Sequence, residues 1–99
     1  MVRFFLIFTG RVQGVGFRYF AQMNAAKLNI TGYVRNASNG NVEIEAQGRE
    51  DDINKFILLL KKGNGFIRVD DYSMKKIETV TSENKFRITY WQFEKSLGV

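Results

Sequence analysis

The apolar residues of this chain alternate between a two-residue and a 3.6-residue period within its first 62 positions, and few folds accept that order in so short a length. Residues 3–9, RFFLIFT, are aromatic and β-branched and predict a buried strand. From Phe17 the period becomes helical: Phe17, Phe20, Ala21, Ala25 and Leu28 form one stripe, and Asn29 is placed to close the helix. Residues 31–37, TGYVRNA, predict a second strand, and Ser38-Asn39-Gly40 a hairpin turn. In NVEIEAQ (41–47), Val42, Ile44 and Ala46 are expected inward, and Glu43, Glu45 and Gln47 outward on a wet face. Residues 50–62 predict a second helix with Ile53, Phe56, Ile57 and Leu60 buried. Asp51 and Asp52 suit its positive end, Lys61 and Lys62 its negative end, and Gly63 an αL stop. A loop over 64–70, a strand over Tyr72–Val80 and a short strand FRITY (86–90) complete the order. This is β-α-β-β-α-β plus a closing strand. It predicts an α+β, ferredoxin-like sandwich: an antiparallel sheet with two helices on one face. No linker or repeat interrupts it, so one domain over residues 1–99 is expected.

A fold of this kind hosts many functions, so the chemistry must be sought in side chains. The chain has no cysteine and no histidine. That excludes thiolate nucleophiles, zinc held by Cys or His, and Ser–His–Asp devices. What remains favours fixed charge and geometry over proton shuttling. No metal or cofactor is expected. The net charge of +5 is spread along the chain, a mild attraction for anions. Residues 4–8 are too short an apolar run for a membrane span or a secretory signal, so a cytoplasmic location is the default expectation.

Between the first strand and the first helix lies GRVQGVG (10–16), with glycines at 10, 14 and 16 and Arg18 just beyond. A loop entering a helix leaves backbone N–H groups unpaired, and the helix dipole adds about half a positive charge there. Glycines let successive N–H groups curl into a nest, and an arginine fork suits phosphate oxygens. The pattern describes a phosphate-sized anion site. It equally describes a plain turn with a solvated arginine. The usual nucleotide motifs, G-x-x-x-x-G-K-[ST] and G-x-G-x-x-G, are absent. Asn36, at the end of the second strand, is able to hold a water molecule, or simply to form the turn beside Ser38.

GRVQGVGFR (10–18) resembles the signature loop of the acylphosphatases. GYVRN (32–36) followed by GNVE (40–43) resembles that family's second signature, and FRITY its closing strand. The resemblance covers about residues 3–90. It implies a small, monomeric, cytosolic, metal-independent enzyme. Such an enzyme hydrolyses a small-molecule acyl phosphate to a carboxylate and inorganic phosphate, with no nucleic-acid or membrane partner. It also implies that Arg18 and Asn36 are the catalytic pair, and that Gln13, Gly14, Val15, Gly16 and Phe17 form the phosphate-binding loop leading to Arg18. The sequence departs from the family in having no proline after the second helix, Thr9 before the loop, and nine residues, 91–99, after FRITY.

Two other readings compete. A relative that keeps the cradle without turnover would bind anions only. An RNA-recognition module shares the element order, and QGVGFRYF (13–20) echoes one of its motifs. That motif belongs on the third strand, where Glu43 and Glu45 instead oppose a phosphate backbone. Tyr19 is expected on the helix surface and Lys27 as a solvated helix-end charge.

Overall fold

The computed structural model describes residues 1–90; residues 91–99, the segment expected after the closing strand, lie outside the described residues. The elements are β1 (Val2–Arg11), α1 (Phe17–Lys27), β2 (Thr31–Asn36), β3 (Val42–Gly48), α2 (Glu50–Lys62), β4 (Arg68–Ile77) and β5 (Phe86–Tyr90). They form a five-stranded sheet in the order β4-β1-β3-β2-β5. β1 is antiparallel to β3 and β4, and β2 is antiparallel to β3. β5 runs parallel to β2, so the complete sheet is mixed. The path of the chain explains why. β4 ends with Ile77 opposite Arg3, at the edge where β1 begins. The chain then crosses that end of the sheet and enters beside the start of β2, with Phe86 opposite Gly32. Starting at the same end, β5 must run in the same direction as β2.

The inner face of the sheet and the two helices enclose one core. Leu6 and Phe8 of β1, Val34 of β2, and Val42, Ile44 and Ala46 of β3 are buried as the alternation requires. Phe17, Ala21 and Ala25 of α1 and Ile53, Phe56, Ile57 and Leu60 of α2 meet them. Burying a large apolar side chain contributes about 1.5–3 kcal/mol, so this cluster is the main source of stability. α1 ends at Lys27 with Leu28 as its C-cap, and Asn29 follows with a positive φ of 55°, closing the helix as expected. Asn24 sits on the buried face and donates Nδ2–H to the Phe20 carbonyl at 2.9 Å, which satisfies it locally.

Three local expectations change. β1 runs on through Gly10 to Arg11, so the loop proper is residues 12–16. Gly10 serves the sheet: its Cβ would stand 2.3 Å from the Arg68 carbonyl oxygen, beside a bulge against β4. β4 begins at Arg68 and ends at Ile77 instead of spanning 72–80. Its RVDD start is too polar to read as a strand and is held there by pairing with β1. Gly63 does take a positive φ, 73°, but its ψ of −166° is extended, so it ends α2 without an αL turn.

The outer face is less wet than alternation alone suggests. Arg3 is only 3% exposed and bonds Glu45 Oε1 at 2.8 Å and Glu83 Oε1 at 2.8 Å. Gln47, expected outward and solvated, is 8% exposed: it donates to the Val80 carbonyl and accepts from the Val80 N–H. The segment crossing from β4 to β5 covers this corner and supplies those partners. Tyr33 donates its hydroxyl to Glu45 Oε2 at 2.7 Å; burial and that carboxylate push its pKa up. Burial alone would raise the Glu83 carboxyl, but hydrogen bonds from Arg3 and Thr31 and the charges of Arg3 and Arg87 outweigh it, holding the pKa below the usual carboxylate value.

A depressed carboxylate contributes stability that is complete above its unfolded pKa and is lost as pH falls through the folded value. Replacing Arg3 by Met strands two acidic partners and should cost about 3 kcal/mol at pH 7. Urea unfolding at several pH values checks this. The gap between Arg3→Met and wild type should narrow from pH 7 towards pH 3.5, as the Glu83 carboxylate protonates. A constant gap would reduce the network to simple packing.

Candidate active site

The turn from β1 into α1 is pinned from below and open above. Phe17, the first residue of α1, is buried, and its ring lies 5.4 Å from that of Phe8. Gly14 and Gly16 take φ of 73° and 77°, angles an L side chain rarely adopts. A Cβ on either would meet nothing within 4 Å, so the space beside them is free. No side chain caps α1, and no acidic residue stands in its first turn. The first hydrogen bond of the helix runs from Phe20 N–H to Gly16 O at 3.0 Å. The N–H groups of Phe17, Arg18 and Tyr19 therefore have no acceptor within the helix and carry its positive end.

This helix start opens on a cavity of about 230 Å³ lined by Val12, Gly14, Gly16, Phe17, Arg18, Tyr19, Asn36, Ile88 and Tyr90. Arg18 is half-buried, and its guanidinium carbon stands 5.2 Å from the centre of the Tyr90 ring. Among the described residues it has no carboxylate partner. Opposite, Asn36 ends β2 and pairs with Val42 of β3 on one side and Tyr90 of β5 on the other. Its Oδ1 is buried and, among the described residues, without a hydrogen-bond partner. A buried carboxamide oxygen with no donor costs about 1–3 kcal/mol and calls for a water or a ligand. An arginine, a helix start and an asparagine thus line one small cleft.

A family model described as acylphosphatase matches residues 4–88. The chain belongs to the acylphosphatase family. It is 50% identical over 90 residues to the acylphosphatase of Clostridium beijerinckii, covering 91% of this chain and all of that one. The crystal structure of acylphosphatase from Bacillus subtilis superposes with a TM-score of 0.86 at 41% identity, covering 91% of this chain and 100% of that chain. The crystal structure of T. kodakarensis HypF also matches, with a TM-score of 0.78 at 36% identity, but 90% of this chain corresponds to only 12% of that one. Hydrolysis of acyl phosphates is the activity of the family to which the chain belongs.

Of the residues nominated from the sequence, Gly14, Gly16, Phe17, Arg18 and Asn36 meet at the cavity. Phe17 lines it while remaining only 1% exposed, its ring packed against Phe8 in the core. Gln13 and Val15 do not line it. Val15 packs against the core, and Gln13 turns its amide towards the β2–β3 hairpin. Tyr19 is 66% exposed, as expected of a surface position, yet it forms part of the rim. Ile88 and Tyr90 were not foreseen; they arrive only because β5 pairs with β2. A larger groove of about 700 Å³ runs between α1 and the segment entering β5, past Gln22, Met23 and Lys85. It lacks both Arg18 and Asn36, so size does not locate the chemistry here.

Gly16→Ala tests the cradle. The left-handed angle should cost about 1–2 kcal/mol in stability, and the displaced loop should weaken inhibition by inorganic phosphate about tenfold. Gly65, with φ 97° and an equally open Cβ direction, lies away from the cavity. Gly65→Ala should show the strain without the loss of phosphate affinity. Equal phosphate affinity in both variants would detach the loop from the anion.

Proposed function

We infer that this chain hydrolyses the carboxyl–phosphate bond of a small acyl phosphate, with Arg18 and Asn36 carrying the reaction. The observation that supports it most is that Arg18, Asn36 and the start of α1 line one cavity. The phosphate occupies the glycine loop. The N–H groups at the head of α1 and the Arg18 guanidinium hold its non-bridging oxygens. The Asn36 carboxamide holds a water and aims it at phosphorus, in line with the bond that breaks. The leaving group is a carboxylate whose conjugate acid has a pKa of ~4, so it departs without a general acid. Phosphoryl transfer then depends on positioning and charge stabilisation, which these groups supply. A phosphate oxygen of the substrate takes the water's proton, since the chain has no histidine or cysteine to do so.

The same reading makes the chain a metal-free, monomeric, single-domain cytoplasmic enzyme with no nucleic-acid or membrane partner. Curated relatives matched along their whole length support one domain as the working unit. No helix among the described residues is long and apolar enough to cross a membrane. On the open sheet face, Glu43 is paired with Arg35 and Glu45 with Arg3, an arrangement that offers little to a nucleic-acid backbone.

The test is steady-state hydrolysis of an aromatic acyl phosphate with a chelator present. Wild type should turn over. Arg18→Ala should lose phosphate binding and at least about a hundredfold in kcat/KM. Asn36→Ala should keep KM within a few-fold and lose about a hundredfold or more in kcat. A folded wild type that binds phosphate but does not turn over would favour the anion-binding relative.

A further inference from the structure

The two halves of this site belong to different elements. The phosphate cradle hangs between β1 and α1, while Asn36 is the last residue of β2. The sheet does not join them directly, because β3 runs between β1 and β2. Yet in-line attack tolerates little error: a misplacement of about 1 Å can cost a hundredfold in rate. Something must set the separation between cradle and amide.

One side chain spans the gap. Gln13 Nε2 donates to the Ala37 carbonyl at 2.8 Å and to the Asn41 carbonyl at 2.9 Å. Both of its N–H donors are used on acceptors, which fixes the orientation of the amide: its oxygen in that place would face two carbonyls. Ala37 follows Asn36 directly. The same two carbonyls close the hairpin, accepting Gly40 N–H at 3.2 Å and Ala37 N–H at 2.8 Å. Gln13 therefore grips the hairpin at its base, one residue from Asn36, and its other end is the loop that leads to Gly14, Gly16 and Arg18.

We propose that Gln13 is a positioning residue: its side chain ties the phosphate loop to the β2–β3 hairpin and so sets the line from the water on Asn36 to phosphorus. This rests on the roles given above to Arg18 and Asn36. The side chain itself stays off the cavity. Phosphate binding depends on the loop's own N–H groups and on Arg18, so it survives loss of the tie. Alignment does not.

The experiment compares wild type, Gln13→Ala and Gln13→Glu, all as the full chain, for hydrolysis of an aromatic acyl phosphate and inhibition by inorganic phosphate. Gln13→Ala should lose about tenfold in kcat while the phosphate inhibition constant stays within about threefold. Gln13→Glu turns a carboxylate on two carbonyl oxygens at neutral pH and should be slower still. Once protonated it can donate one of the lost bonds, so its kcat relative to Gln13→Ala should rise about threefold or more from pH 7.5 to pH 4.5. If Gln13→Ala does not fold, Gln13→Met keeps the bulk of the stem without the donor and takes its place. Unchanged kcat overturns the proposal. So does an equal loss of kcat and phosphate affinity, which would assign Gln13 to the cradle itself, or a flat pH dependence of the Gln13→Glu ratio. An inactive wild type overturns the hydrolytic reading and this one with it; an active wild type with an unaffected Gln13→Ala overturns this one alone.

Discussion

A helix whose first N–H groups are left without a cap is ordinarily a weakness, and here it is held in place by a buried ring. Phe17 sits against Phe8 in the core, so the start of α1 cannot fray towards solvent. Gly16, in a left-handed conformation just before it, lets the chain arrive from β1 without a side chain in the way. Without the anchor, the N–H groups would find water or a neighbouring carbonyl. With it, they stay directed at the cavity, and the dipole of α1 is available to an anion. Arg18, one residue on, is carried to the same place by the helix geometry alone.

The sheet turns that local feature into a site. β3 and β1 form its centre and provide a floor that cannot shift without breaking the core. Asn36 is presented at the end of β2 between Val42 and Tyr90, and the Tyr90 ring lies under Arg18. The opposite end of the sheet is closed by a different device, the Arg3–Glu45–Glu83 cluster with Gln47. This cluster secures the segment crossing to β5, and β5 in turn delivers Ile88 and Tyr90.

Much of this was legible beforehand. The buried stripe of α2, the inward side chains of β3 and the helix-closing role of Asn29 all follow from period and turn chemistry, which act over a few residues. Residue type and spacing leave Gly14, Gly16, Arg18 and Asn36 open between an anion site and an ordinary turn, and only the family resemblance assigns them roles. Gln47 was misplaced because alternation describes the sheet and knows nothing of the segment lying over it. β4 was read late because an edge strand with charges on it has no clear hydrophobic pattern. Gln13 is expected in the phosphate loop, and its side-chain amide donates to the Ala37 and Asn41 carbonyls of the hairpin: nothing in VQG distinguishes an amide that faces a ligand from one that bonds a hairpin.

The sequence by itself determined the elements, the turn angles and the chemical inventory, because each depends on neighbours along the chain and on side chains that are present or absent. An acylphosphatase-like loop, an arginine after it and the lack of histidine could all be read there. Tertiary structure alone decided the company each residue keeps. The parallel entry of β5, the unpartnered oxygen of Asn36 and the reach of Gln13 to Ala37 and Asn41 join residues 24 to 54 positions apart or set one residue between two strands. Such pairings depend on register and crossover geometry, which no local pattern encodes.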